Sequence, residues 1–282
     1  MSDALRETAP AKVNLTLHVG RVIRDADRHH GYHPLDSLVV FADVGDTLTF
    51  HPSETPSLEI TGTFAEGLET DATNLVSRAL ALAERVCGAS LHTVHLDKSL
   101  PVAAGLGGGS ADAGAVVRAL CKDDMSADDL LSLGADVPAC TLSRTLRMTG
   151  IGECVAPLPG LGQVDAVLAN PGVAVSTAAI FRALDGHDPR ETPRPQAHSG
   201  TLLERALAGR NDLQPVAEDL QPAIRDLREH LAASDGCQLA RMTGSGASVF
   251  ALYPTPDQAR IAVDTLRTQG VWARACRLGD PD

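Results

Sequence analysis

The chain has 282 residues, 44% of them apolar, and 36 acidic side chains against 24 basic ones give it a formal net charge of −12. The apolar share supports a full core in one large or two modest domains. The negative balance excludes a broad surface for nucleic acid or anionic membrane, so a nucleotide would have to be held by locally placed positive charge. The six cysteines are scattered with no C-x-x-C spacing, which suits reduced thiols and not a disulfide framework or zinc site. Neither a charged and then apolar leader nor an apolar run near the ~18 residues of a membrane span is present. The expectation is a soluble, unprocessed, cytoplasmic protein.

In chain order, residues 12–19 predict an amphipathic strand with Val13, Leu15, Leu17 and Val19 on one face and Lys12, Asn14, Thr16 and His18 on the other. A polar loop (24–33) leads to a strand over 37–42, and Gly45-Asp46-Thr47 predicts a turn into a third strand over 48–50. Leu75, Ala79, Leu82 and Val86 have helical spacing within 74–86, and 91–97 reads as a strand. Residues 184–200, with three prolines and many charges, predict a surface loop. Thr243-Gly-Ser-Gly-Ala247 is a second glycine-rich turn before a buried strand over 248–252. Thr255 then caps a helix over 256–268 with proline at its first position, and 271–276 closes a strand-helix-strand unit.

Between these elements lies Pro101-Val-Ala-Ala-Gly-Leu-Gly-Gly-Gly-Ser-Ala-Asp-Ala-Gly114, which opens into a helix over 110–122. Glycines let the backbone approach a ligand closely, and the unpaired N–H groups of a following helix attract an anion. Ser110 is a natural N-cap and a possible hydroxyl for phosphate or Mg²⁺. The spacing excludes the P-loop, which needs a closing Lys-Ser or Lys-Thr, and the dinucleotide fingerprint, whose last glycine is Ser110 here. A glycine run alone also suits a flexible turn; the strand before it and the helix after it are what phosphate binding needs.

Further motifs join it: Ala9-Pro-Ala-Lys-Val-Asn-Leu15, Gly31-Tyr-His33, Thr73-Asn-Leu75, Asp97-Lys98, Leu133-Gly-Ala-Asp-Val-Pro138, Asn170-Pro-Gly172, Ile180-Phe181 and Arg241-Met-Thr-Gly-Ser-Gly-Ala247. With this series the chain resembles the GHMP kinase superfamily. The resemblance implies an α+β, two-domain fold: an N-terminal nucleotide-binding domain like ribosomal protein S5 domain 2 (1–155) and a C-terminal ferredoxin-like domain (156–282), with the active site in the cleft between them. It further implies ATP with Mg²⁺ as phosphoryl donor. The P-A-K-x-N-L, G-Y-H and L-G-A-D-V-P motifs point to the branch acting on a small molecule, cytidine-diphosphate-linked methylerythritol, in the non-mevalonate route to isoprenoid precursors. No nucleic acid or membrane partner is expected, and the chain is expected to be a monomer or weak homodimer.

Residue by residue, the resemblance makes Lys12 the catalytic lysine and Asp136 the base, although a lysine on a strand's polar face is commonly just solvated and Asp136 also reads as a turn carboxylate. It assigns ATP to Pro101, Val102, Ala103, Ala104, Gly105, Leu106, Gly107, Gly108, Gly109, Ser110 and Ala111, with Asn74 and Lys98 at the nucleotide end. It assigns the second substrate to Asn14, Tyr32, His33 and Phe181, with the cytosine stacked between the two aromatic rings and recognised by His33. Without the resemblance, Tyr32 reads equally well as a packing plug. His29, His30 and His33 lack a carboxylate or cysteine that would complete a metal site. The family often reads Gly-Gly-Gly-Leu-Gly-Gly-Gly-Ser-Ser-Asn where this chain has Ala103, Ala104, Ala111 and Asp112. Metal ligands and the role of Asp112 stay open at this point.

Overall fold

The computed structural model describes residues 4–24, 29–121, 125–185 and 199–280. Most of the loop expected over 184–200, and parts of the loop over 24–33 and the end of the helix over 110–122, lie outside them. Packing divides the chain otherwise than a cut after residue 155. One compact unit comprises Met1–Lys12, Val44–Val102 and Gly107–Ser143, and the other Val13–Asp43, Ala103–Leu106 and Arg144–Asp282. The division is discontinuous because two long strands, β1 (Leu5–Val19) and β2 (Leu35–Pro52), contribute residues to both units.

In the first unit β2 pairs antiparallel with β4 (His92–Asp97), placing Leu48 opposite Leu96 and Phe50 opposite Val94, and β3 (Ser57–Thr61) runs parallel to β4. These four central side chains are buried, the period-two pattern of a sheet with one face on a core. Helices α1 (Leu75–Cys87), α2 (Gly108–Leu120), α3 (Ala127–Leu133) and α4 (Val137–Leu142) complete the unit, with α2 packed against both α1 and α4. The turn expected at Gly45-Asp46-Thr47 is absent, because β2 runs unbroken through it. A Cβ at Gly45 would stand 2.2 Å from the Ala9 carbonyl oxygen, so this glycine serves close backbone approach inside a strand.

In the second unit β5 (Leu146–Gly150) pairs antiparallel with residues 35–39 of β2 and with β6 (Cys154–Pro157). Then come β7 (Gln163–Asn170), α5 (Thr177–Leu184), α6 (Leu202–Ala208), α7 (Gln214–Leu220), α8 (Pro222–Ala232), β8 (Leu239–Met242), β9 (Val249–Tyr253), α9 (Pro256–Thr268) and β10 (Trp272–Gly279). The antiparallel order β10-β7-β9-β8 takes the fourth, first, third and second strands of this segment in turn, the split arrangement of a ferredoxin-like sandwich. Helices α8 and α9 pack against its strands. Val167, Val249, Ile224, Leu231, Val263 and Leu266 lie in the shared core. The strand-helix-strand unit expected after the second glycine turn is β9-α9-β10, capped as read by Thr255, whose hydroxyl accepts from Gln258 N–H.

Candidate active site

From Ala11 to Val19 strand β1 is buried on both faces, so the polar face read from the sequence is not solvated; Lys12 is only 4% exposed. Its ammonium donates to Asp136 Oδ1 at 2.7 Å. Asp136 occupies the N-cap position of α4, yet its side chain makes no cap hydrogen bond, and that carboxylate remains 38% exposed. A turn or capping residue would spend its oxygen on the helix N–H groups; Asp136 turns it to the lysine and to solvent. The lysine's stem runs past Gly107, where a Cβ would lie 3.1 Å from Lys12 Cβ and 3.2 Å from Cε.

Gly107 is also the start of α2, an N-cap at φ 63°. The first helical bond is Ala111 N–H to the Gly107 carbonyl at 2.8 Å, so the N–H groups of Gly108, Gly109 and Ser110 stand ahead of it as orphan donors at a positive helix end. The expected N-cap role of Ser110 is therefore corrected: the left-handed Gly107 begins the helix earlier and leaves Ser110 in its first turn. Earlier in the loop Pro101, Ala104 and Leu106 are buried and Val102 is about half exposed. Ala103 holds φ 52° without being glycine. Within the second unit, the Ala104 carbonyl accepts from Ser248 N–H at 3.0 Å. A Cβ on Gly105 would meet the Thr243 carbonyl oxygen at 2.6 Å. The two glycine turns thus pack backbone against backbone.

Lys98 does not present a free ammonium to a nucleotide. It is buried between two carboxylates, donating to Asp46 Oδ2 at 2.5 Å and Asp112 Oδ2 at 2.6 Å. Asp46 Oδ1 accepts in turn from Ser99 and Leu100 N–H, at 2.7 and 2.8 Å. A Cβ on Gly108 would point at Lys98 Nζ, 3.1 Å away, so that glycine makes room for this triad beneath the loop. Burial pulls Lys98 down, but the charges of Asp112 and Asp46 outweigh it and hold the ammonium above its ordinary value. Burial pushes Asp112 up to about 7 against the pull of Lys98, with Asp46 adding to the rise. Asp112 Oδ1 is buried with no hydrogen-bond partner. Asn74 is likewise occupied: its Oδ1 caps α1 by accepting from Val76 N–H and its amide donates to the Glu69 carbonyl.

A raised carboxyl contributes stability that is fully present below the unfolded value and is lost as pH rises through the folded one. For Asp112 that window runs from its ordinary 3.8 to about 7. Asp112→Asn removes the titration, so the melting temperature of the parent relative to the variant should fall steadily across that window. Parallel curves from pH 4 to 8 would show that Asp112 titrates normally.

In the second unit Asn14 donates from its amide to Ser37 Oγ at 2.7 Å, and its backbone N–H donates to Thr243 Oγ1 at 2.9 Å. Asn14 Oδ1 is buried without a partner. The rings of His33 and Phe181 pack with centroids 5.0 Å apart at 33°. His33 Nδ1 lies 2.9 Å from the Gly20 carbonyl, which can only accept, so Nδ1 carries a proton and Nε2 faces Asp185 at 3.7 Å. Tyr32, next in sequence, is 54% exposed. The structure therefore brings Lys12 to Asp136 and His33 to Phe181. Asp46 was read only as a turn residue and Ser37 and Asp185 had no signal, because their partners are far away in sequence. Among the described residues no group of three or more His, Cys, Asp or Glu could hold a metal ion, and no helix is long and apolar enough to cross a membrane.

Comparison with known proteins gives the arrangement a family. Residues 74–144 match the family described as GHMP kinases N terminal domain, and residues 195–271 match GHMP kinases C terminal. The chain is 48% identical to 4-diphosphocytidyl-2-C-methyl-D-erythritol kinase of Paracoccus denitrificans, covering 91% of this chain and 90% of that protein. It is 45% identical to the protein of that name from Dinoroseobacter shibae, covering 93% and 90%. A crystal structure of 4-(cytidine 5'-diphospho)-2C-methyl-D-erythritol kinase aligns at TM-score 0.80 and 32% identity, covering 98% of this chain and all of that one. The mevalonate kinase of Methanococcus jannaschii, at TM-score 0.65 and 12% identity, shares the fold. The chain belongs to the GHMP kinases and, within them, to the 4-diphosphocytidyl-2-C-methyl-D-erythritol kinase family.

Proposed function

We propose that the chain transfers the γ-phosphoryl group of ATP to the 2-hydroxyl of 4-diphosphocytidyl-2-C-methyl-D-erythritol, giving ADP and the 2-phosphate in the non-mevalonate route to isoprenoid precursors. The observation that carries this reading is the Lys12–Asp136 contact of 2.7 Å, with the lysine stem lying along Gly107 at the start of α2. The N–H groups of Gly108, Gly109 and Ser110 hold phosphate oxygens. Asp136 orients the acceptor hydroxyl and takes its proton, and the buried Lys12 ammonium stabilises charge spread over the equatorial oxygens. Proton removal occurs late in a loose transition state, so placement counts for more than basicity.

Mg²⁺ commonly binds through one or two protein oxygens plus phosphates and water, so the lack of a three-ligand cluster among the described residues fits a cation that arrives on the nucleotide. The Ser110 hydroxyl, in the first turn of α2, would be the chain's oxygen for such a cation, which would supply neutralisation of phosphate charge. All six cysteines are free, which supports a reducing compartment such as the cytoplasm. An ADP-release assay offering the cytidine substrate, mevalonate, homoserine and galactose tests the reading. Turnover with the cytidine substrate alone is expected; a preference for another alcohol, or no turnover at all, overturns it.

The cytosine pocket lies with Tyr32, His33 and Phe181 in this reading. Base stacking contributes about 1–3 kcal/mol and is made equally in ground and transition states, so Tyr32→Ala should raise KM for the cytidine substrate by about 5- to 150-fold, with kcat and the KM for ATP little changed. Phe181→Ala should do the same and also release the His33 ring that it packs against. A Tyr32→Ala variant altered only toward ATP would misplace the pocket.

A further inference from the structure

Lys12 and Asp136 lie on different elements, β1 and the N-terminus of the short α4, and neither element fixes their separation alone. Helix α2 approaches α4 so closely that a Cβ at Gly114 would stand 2.8 Å from the Cys140 carbonyl carbon. One turn further along α2, the Arg118 guanidinium binds both of the other elements. Its Nη1 donates to the Cys140 carbonyl at 2.7 Å, its Nε donates to Glu7 Oε1 at 2.8 Å, and its Nη2 donates to the Thr8 carbonyl. Cys140 is one helical turn from Asp136, joined to it by a backbone bond of 3.0 Å from the Cys140 N–H to the Asp136 carbonyl. Glu7 and Thr8 precede Lys12 on β1. Burial, and then the Asp136 charge, push the Cys140 thiol up against the opposing pull of Lys12, as its place beside that pair requires.

We infer that Arg118 is a positioning residue: from the helix that begins at the glycine loop it clamps the strand carrying Lys12 to the helix carrying Asp136, and so sets their spacing for phosphoryl transfer. The inference rests on the function proposed above. A planar guanidinium suits the task because it reaches three acceptors in fixed directions, whereas an ammonium is a point charge on a flexible stem. The Arg118–Glu7 pair is partly buried, and the clamp acts on the rate through geometry: an error of about 1 Å in a reacting group costs up to about 100-fold in rate.

Arg118→Ala should lower kcat by about 10- to 100-fold while both KM values change little, and added guanidinium chloride, kept far below denaturing concentrations, should restore much of that kcat. The same additive should not restore Lys12→Met or Asp136→Asn. Arg118→Lys, which preserves charge and bulk if the alanine variant folds poorly, should still lose kcat because it cannot reach all three partners. Crystal structures of the Arg118 variants without nucleotide should show Lys12 Nζ and Asp136 Oδ1 drawn apart from the 2.7 Å of the parent. A parent that phosphorylates no cytidine substrate overturns the proposed function, and the Lys12–Asp136 separation then still decides the clamp. Near-parental kcat in Arg118→Lys, guanidinium that raises the melting temperature without raising kcat, or an unchanged Lys12–Asp136 separation would overturn the role of Arg118.

Discussion

Asp136→Asn should leave the fold intact and lower kcat by about 10²- to 10⁴-fold, the usual range for a lost acid-base group. The fold is spared because Asp136 makes no cap bond to α4 and is half-exposed, and asparagine can still accept from Lys12. What disappears is the proton acceptor and its negative charge. Lys12→Met should depress kcat by a similar factor for a different reason, loss of positive charge beside the transferring phosphoryl. It frees a carboxylate that water can reach, so its stability cost should also be small. Residues acting as a unit are not additive, and the double variant should fall little below the worse single. Steady-state kinetics with thermal melts check all three. An Asp136→Asn enzyme within a few-fold of the parent, properly folded, would reduce Asp136 to a turn residue.

The elements with strong local periodicity were legible from the sequence: the helices over 75–87 and 256–268 and the strand ending at Val19 stand where apolar spacing put them. Gly45 misled because a glycine beside Asp46 and Thr47 has turn chemistry, while the deciding contact is with Ala9, remote in sequence. Lys12 was legible as a position but not as a buried one, since alternation says which residues share a face and not whether water covers it. The triad under the loop was hidden for a related reason. Asp46, Lys98 and Asp112 belong to separate stretches of chain, and only folding brings their charges within 2.5–2.6 Å. The resemblance put Lys98 at the nucleotide end, while a loop lysine by itself is ordinary structure; its two carboxylate partners could not be read from either. Arg118 gave no signal at all, being one polar residue at the end of an apolar helix.

Gly105→Ala should destabilise the protein without any ligand present, by about 3 kcal/mol or more. Two costs combine. At φ 75° an alanine in left-handed backbone costs about 1–2 kcal/mol, and its Cβ would lie 2.6 Å from the Thr243 carbonyl oxygen and 2.8 Å from that of Gly246. Those neighbours are backbone, so no side chain can swing aside, and the second glycine turn has to shift. Against a total stability of about 5–15 kcal/mol this is a large fraction, readable as a lowered urea midpoint. Ala103→Gly is the natural comparison, because Ala103 already holds φ 52° and glycine relieves that strain; its midpoint should not fall to the same degree. The pair separates two uses of one loop. If Gly105 served phosphate approach alone, Gly105→Ala would lose ATP affinity and no more stability than the about 1–2 kcal/mol of left-handed strain. A loss confined to that strain would therefore remove the packing of the two glycine turns as a reason for that residue, whereas a larger loss assigns Gly105 to that packing and leaves the orphan N–H groups of α2, from Gly107 onward, as the stretch free to meet phosphate.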